Sequence, residues 1–324
     1  MTLLMLSLVQ ASEAPPVVGG EETNSFRSVG ALVAVKGNQG GPFCSGTLAK
    51  AARVITAAHC AEAAEQYVES GYDIYVVFES TVWEEWETYQ PVKQILIHPD
   101  YSIDASGISW DIAVLKLESS VSGVGSMRLN TENIKLSQEG DTVTYVGYGK
   151  TSHSGSGEGV RRTVDTVLGA QDSMFVYTAY EGSTVKNVCP GDSGGAALML
   201  REDGNYELVG VNSWVFNWVS QTTFDCDADN AGAAAQRVDK SIDWLSNYMD
   251  IELEGDADVD SDTDSDTDSD SDTDTDPVDS GDTDVEVEDD PPKTPDCSCS
   301  GGPAGAGLIA ALLGLVSLRR RASA

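Results

Sequence analysis

The segment Cys189-Pro190-Gly191-Asp192-Ser193-Gly194-Gly195 sets a serine among glycines. Glycine neighbours expose the hydroxyl and let another chain approach the backbone closely. A serine hydroxyl is a weak nucleophile at neutral pH and needs an adjacent base. The sequence holds three histidines, His59, His98 and His153, and all precede Ser193. His59 lies in Thr56-Ala57-Ala58-His59-Cys60. Such a base needs a third group to orient its ring and stabilise its cation. Asp111, in Trp110-Asp111-Ile112-Ala113-Val114-Leu115-Lys116-Leu117, heads an apolar strand and can supply it. The available chemistry is attack by Ser193, proton transfer through His59 and charge stabilisation by Asp111.

The serine segment also fits Gly-x-Ser-x-Gly, the nucleophile elbow of α/β-hydrolases. There the histidine follows the serine, and here none does, so that reading fails. The order His, Asp, Ser remains. Around these three segments stand Val17-Val18-Gly19-Gly20, Gly147-Tyr148-Gly149 and Ser213-Trp214. With six pieces in order over residues 17–249, the chain resembles the trypsin/chymotrypsin-like serine peptidases. Each piece alone has a plainer reading: a glycine-rich turn at Ser193, a strand-end cap at Asp111, a core histidine at His59. Their joint order favours catalysis.

The resemblance implies an all-β fold of two six-stranded antiparallel β-barrels with a C-terminal helix, the site lying in the cleft between barrels. It makes Ser193 the nucleophile, His59 the general base and acid, and Asp111 the group that fixes the histidine tautomer. The N–H groups of Gly191 and Ser193 become the oxyanion hole, about 3–4 kcal/mol per donor in the best-measured case. Ser213 supports Asp111, and Ser213–Val215 pairs with the substrate backbone. Asn187 falls at the base of the primary pocket, where an Asp would select Lys or Arg. Val215 and Ala233 narrow its walls, so small or medium apolar residues are expected. Cys44 is expected to pair with Cys60, and Cys189 with Cys226. His98 matches a structural position, and His153 reads as a surface residue in a Ser/Gly-rich loop. No cofactor and no metal are implied.

The elements that must position these residues are short. Apolar, β-rich runs such as Gly30–Val35, Arg53–Thr56, Tyr72–Phe78, Ile95–Ile97, Ile112–Leu117, Thr142–Val146 and Leu208–Val211 recur between Gly and Asn/Asp turns. Helical periodicity is weak except at Lys240–Met249, where Ile242, Leu245 and Met249 share a face.

The chain of 324 residues carries a formal net charge of −34. This excludes nucleic acid as a partner, because phosphate neutralisation needs a basic face. Residues 251–296 hold 21 acidic side chains and one basic. The Ser-Asp and Thr-Asp alternation there has no aromatic residue, repels itself and reads as a disordered linker. It lacks the Gly and the twelfth-position Glu of an EF-hand loop. Residues 1–11 read as a signal peptide without the usual basic start, and residues 12–16 as a short propeptide. Residues 17–250 form the peptidase domain. Residues 297–324 combine Cys297 and Cys299, the 18 uncharged residues Gly301–Leu318 and Arg319-Arg320-Arg321. This tail resembles the sorting tails of myxobacterial-type surface proteins; the plainer alternative is a membrane anchor that is never processed. Six cysteines and an export signal point to an oxidising compartment.

The functional expectation is an exported serine endopeptidase acting on protein or peptide substrates. It is secreted, or anchored at the surface or outer membrane of a Gram-negative-type bacterium. The tail would meet the membrane and a sorting or processing protease. An inert binding module on the same fold is the alternative, and a structural surface protein with a cation-binding acidic tract a third. In this family the amine of a cut N-terminus pairs with the Asp before the catalytic Ser, here Val17 and Asp192. Family members usually carry Arg or Lys before the cut, whereas this chain has Pro15-Pro16. A different, activating protease must therefore generate Val17, or a short Ser12–Pro16 extension persists. N-terminal sequencing of the active enzyme should read Val-Val-Gly-Gly from Val17; Ser12 on fully active enzyme would reject this.

Overall fold

The structure, a computed structural model, describes residues 16–83, 88–104, 107–179, 186–219 and 225–249. The expected signal peptide, nearly all of the propeptide, the acidic linker and the C-terminal tail lie outside the described residues. So does the expected membrane span. Among the described residues no helix is long and apolar enough to cross a membrane.

Six strands form a first closed barrel: β1 (Val29–Lys36), β2 (Gln39–Lys50), β3 (Arg53–Thr56), β4 (Asp73–Val77), β5 (Gln90–Ile97) and β6 (Ala113–Leu117). Their cyclic order is β1-β2-β3-β6-β5-β4, closed by β4 on β1. Six more form the second: β7 (Thr142–Gly147), β8 (Arg162–Gln171), β9 (Phe175–Ala179), β10 (Ala196–Leu200), β11 (Tyr206–Asn217) and β12 (Ala231–Arg237). Their order β7-β8-β9-β12-β11-β10 repeats that of the first, with β9 on β8 and β7 on β10 completing the ring. All these pairings are antiparallel. The expected all-β double barrel is what the chain forms.

The strands follow the two-residue period of side chains. Along β8, Arg162, Val164, Thr166 and Leu168 are buried, while Thr163, Asp165 and Val167 between them are half-buried or exposed. Leu32, Leu48, Val54, Ile55, Val76 and Leu115 fill the first barrel, and Val143, Tyr145, Val164, Leu168, Val176 and Val209 the second. The β1–β2 hairpin turns on Gly37-Asn38, with Lys36 opposite Gln39. Gly37 takes φ +60°, which tight two-residue turns require.

Two helices depart from expectation. α1 (Ala58–Glu69) directly follows β3, although the sequence pattern does not announce it. Its buried face is Ala58, Cys60, Ala61 and Ala64. Residues this small give little hydrophobic contrast, so the periodic signal is weak. The C-terminal helix α2 spans only Ile242–Leu245, followed by turns to Met249. Its apolar spacing is correct, because Ile242, Leu245 and Met249 are all buried.

A buried polar clamp joins the barrels. Arg161, just before β8, is 2% exposed. Its Nη1 donates to the carbonyls of Val29 (3.3 Å) and Phe78 (3.0 Å) in the first barrel, and to Tyr148 Oη (3.2 Å). Tyr148 Oη donates to the Glu79 carbonyl at 2.6 Å. Removing one partner leaves buried groups unpaired, which costs about 1–3 kcal/mol. Tyr148→Phe should therefore lower denaturant stability by about that amount, measured in a Ser193→Ala background. Unchanged unfolding would show that the clamp is not stabilising.

Candidate active site

Asp111 has no exposed surface. A buried carboxylate must be paired and hydrogen-bonded to persist. Oδ1 accepts the backbone N–H of His59 at 2.9 Å, and Oδ2 faces His59 Nδ1 at 2.8 Å. Oδ2 also accepts Ser213 Oγ at 2.5 Å. Burial pushes the Asp111 pKa up, but His59 and these hydrogen bonds outweigh it, and the carboxyl titrates below its ordinary value. For His59, burial pulls the pKa down, while the charge and hydrogen bond of Asp111, with Glu62, raise it above the ordinary 6.5. Nδ1 is thus committed to Asp111, while Nε2 lies 3.6 Å from Cys60 Sγ, a disulfide sulfur with no proton to give.

Asp111 is held in place by unusual backbone. Trp110 adopts φ +51°, a left-handed conformation that costs a bulky residue free energy. Ile112 N donates to the Trp110 carbonyl at 2.7 Å across Asp111, making a tight turn. The Trp110 ring stacks on His98, with centroids 4.6 Å apart and planes 4° from parallel. Asp111 N donates to Gln236 Oε1 of β12 at 3.1 Å.

Ser193 precedes β10 and therefore comes from the second barrel. Its carbonyl accepts Ser45 N of β2 at 2.8 Å. Gly194, at φ +78°, presses the segment onto the start of α1: an added Cβ would lie 2.1 Å from Thr56 Oγ1 and 3.0 Å from Ala57 N. Only glycine allows this approach, which sets Ser193 beside the helix that begins next to His59. Among the described residues no hydrogen bond joins Ser193 Oγ to His59; such contacts are commonly long before substrate binds. Gly191 N and Ser193 N donate to no group among the described residues. Gly191 has φ +99°, and a Cβ there would meet Gly149 Cα at 2.9 Å.

Asp192 points the other way, into the body, and is 1% exposed. Its Oδ1 accepts Gly149 N at 2.7 Å and its Oδ2 accepts Cys189 N at 2.9 Å. Burial raises its pKa to about 6 against those two N–H groups and the field of Arg162. Among the described residues no cation pairs directly with it. Val17 lies in the helical turn Pro16–Gly19, peptide-linked to Pro16. The next residue, Val18, is buried against Cys189 and Cys226, and its carbonyl accepts Asn187 N at 3.1 Å.

Asn187 is 1% exposed and its Nδ2 donates to the Gly232 carbonyl at 3.4 Å. Val215 pairs directly with Ala233 across β11 and β12, so both lie on one face. Trp214 instead joins Phe175, Tyr177 and Phe216 in an aromatic group. Disulfides join Cys44 to Cys60 and Cys189 to Cys226. Both adjoin the site: Cys60 follows His59, and Cys189 opens the loop that carries Ser193. Cys297 and Cys299 lie outside the described residues. His98 is 6% exposed, and its Nδ1 accepts Asp100 N at 3.2 Å. His153 is exposed, with Nδ1 3.9 Å from Asp225.

Sequence reasoning did not single out Gln236, Ser45 or Asn212. Each is buried and polar and contacts the site segments. A polar residue inside an otherwise apolar strand, as in Ala233-Ala234-Ala235-Gln236, is the one available signal. His59 protonation can be followed by ring-proton NMR in a Ser193→Ala chain. The midpoint should lie above 6.5, because Asp111 outweighs burial. In Asp111→Asn burial dominates and the midpoint should fall below 6.5. A midpoint at or below 6.5 in the unsubstituted site would contradict this electrostatic account.

Comparison with known proteins agrees with this geometry. Residues 17–245 match the family model described as Trypsin. Human chymotrypsin-like elastase family member 1 is 30% identical over 254 residues, covering 71% of this chain and 91% of the relative. Trypsin of Saccharopolyspora erythraea is 29% identical, covering 61% and 86%. Mouse granzyme B(G,H) is 26% identical, covering 64% and 83%. Two closed six-stranded barrels, two disulfides and the match over most of the catalytic region together place the chain in the trypsin family of serine peptidases.

Proposed function

We propose that the chain is an active serine endopeptidase working through Ser193, His59 and Asp111. The observation that carries this reading is the fully buried Asp111, bound to His59 Nδ1 at 2.8 Å and to Ser213. A histidine held in this way has its Nε2 ready as a base. Ser193 Oγ would attack the scissile carbonyl while His59 Nε2 takes its proton. The carbonyl oxygen, now negative, would receive Gly191 N–H and Ser193 N–H. His59 would then pass the proton to the leaving amine, leaving an acyl-enzyme. A water activated by the same histidine would release the acyl group and restore Ser193.

The primary pocket has Asn187 at its base and Val215 and Ala233 on its walls. Asn187 carries no charge to pair with Lys or Arg, and the two walls carry side chains. A small or medium apolar residue such as Ala or Val is the expected fit. The elastase name of a relative is in keeping with this preference. Activation would require a cut before Val17 by another protease. The amine so created would serve Asp192, whose burial without a direct cation partner among the described residues is otherwise unfavourable. Two disulfides are consistent with export. The composition of residues 251–324 supports attachment of the enzyme to a membrane or surface through its tail, with a sorting or processing protease acting there.

A fluorophosphonate probe should label the mature chain, and Ser193→Ala should abolish labelling. A peptide-library profile should then favour Ala or Val before the cut. Failure to label would favour the inert binding module, and a profile dominated by Lys or Arg would refute the pocket reading.

A further inference from the structure

The two candidate oxyanion donors are backbone N–H groups, so their aim depends on how the peptides that carry them are held. A trans peptide points its C=O and its N–H in opposite directions. Gripping the carbonyl of one residue therefore aims the N–H of the next. Across residues 190–193 every carbonyl is gripped. Pro190 O accepts Lys150 N at 2.9 Å, and Ser193 O accepts Ser45 N at 2.8 Å. Gly191 O accepts Ser45 Oγ at 2.9 Å. Asp192 O accepts Asn212 Nδ2 at 3.1 Å, besides Gly195 N at 2.9 Å. Only two of these donors are side chains, Ser45 and Asn212.

Their placement is informative. Ser45 has no exposed surface and belongs to β2 of the first barrel, while the loop it grips belongs to the second. Its Oγ also accepts Tyr148 N at 3.0 Å, which fixes the direction in which its proton is given. Gly191 has the widest backbone freedom of any residue type. The peptides on both sides of it must be gripped if its φ of +99° is to be the only one adopted. Ser45 holds the peptide after it. Asn212 holds the Asp192–Ser193 peptide, whose N–H is the second oxyanion donor. Asn212 is 1% exposed and its Oδ1 has no partner among the described residues. An apolar side chain would avoid that cost, so stability alone does not account for an amide at this position.

We propose that Ser45 and Asn212 are positioning residues, one from each barrel: Asn212 aims the Ser193 N–H by holding the Asp192 carbonyl, and Ser45, by holding the Gly191 carbonyl, keeps Gly191 in the one conformation that leaves its N–H where the Lys150–Pro190 hydrogen bond sets it. The proposal rests on the peptidase reading above. It is a statement about the transition state: misaimed donors weaken binding of a developing oxyanion and leave ground-state binding alone.

The test uses the mature chain with Ser45→Ala and, separately, Asn212→Ala. Turnover of a peptide amide is measured beside inhibition by a peptide aldehyde and by the matching peptide alcohol. The aldehyde accepts Ser193 and becomes a tetrahedral oxyanion; the alcohol does not. Loss of a whole oxyanion donor costs about a hundredfold to a thousandfold in kcat. A misaimed one should cost about tenfold to a hundredfold, with KM changed less than about threefold. Aldehyde affinity should fall by the same factor as kcat, and alcohol affinity should hold. Unchanged kcat and an unchanged aldehyde-to-alcohol ratio in folded variants would overturn the proposal. So would equal losses for both inhibitors, which would mark a structural role. If Asn212→Ala does not accumulate folded, Asn212→Leu keeps the bulk without the donor, and Ser45→Ala decides by the same readouts. An unsubstituted chain that neither labels with fluorophosphonate nor turns over peptide overturns the peptidase reading and this proposal with it. An active parent with unaffected variants overturns the positioning roles alone.

Discussion

A carboxylate with no exposed surface, Asp111, is the constraint from which most of the site follows. Left alone, such a charge would destabilise the fold by several kcal/mol. It is tolerated because four groups converge on its turn: His59 through both its backbone and its ring, Ser213 Oγ, and Gln236 on the adjoining N–H. Two of these residues belong to the second barrel. The charge therefore couples the barrels as well as orienting a histidine. The same burial that makes the carboxylate costly keeps its interaction with the imidazole from being screened.

Backbone strain is placed around this charge. Trp110 takes a left-handed conformation and Gly194 comes into contact with Thr56 and Ala57. Each is held by packing: the stack on His98 for Trp110, and the seam of the two barrels for Gly194. Asp192, next to Ser193 in the chain, supplies a second buried carboxylate, satisfied among the described residues by two N–H groups with the Arg162 cation only nearby. The serine loop is thus bounded by two buried acids with different degrees of compensation. One titrates below its ordinary value and the other is pushed up to about 6.

What could be read from the sequence was what lies in local runs. Ser193 with its glycines, His59 and Asp111 each sit in a distinctive short segment, and the strands announce themselves by apolar β-rich runs. The double barrel followed from the resemblance those segments carry, and its strand order could not be read from the runs alone. α1 was invisible because its buried face is alanine and cysteine, which contrast little with polar neighbours. The C-terminal helix was correctly placed but overextended, since apolar spacing continued through turns. Gln236 and Ser45 escaped notice for another reason. Their partners lie 125 and 146 residues away, so their roles arise from strand register and barrel docking. Asn212 lies nearer to Asp192, yet its aim depends equally on how β11 passes under the serine loop.

The chain order of the parts also has a consequence for synthesis. A ribosome making this protein releases His59 and Asp111 first and Ser193 well after them. Ser213 and Gln236, which hold Asp111, emerge later still. A nascent chain therefore lacks part of the cluster around Asp111 until β12 has emerged. Because the site is divided between two barrels, the strands that close the second barrel are the ones that supply the last partners of Asp111.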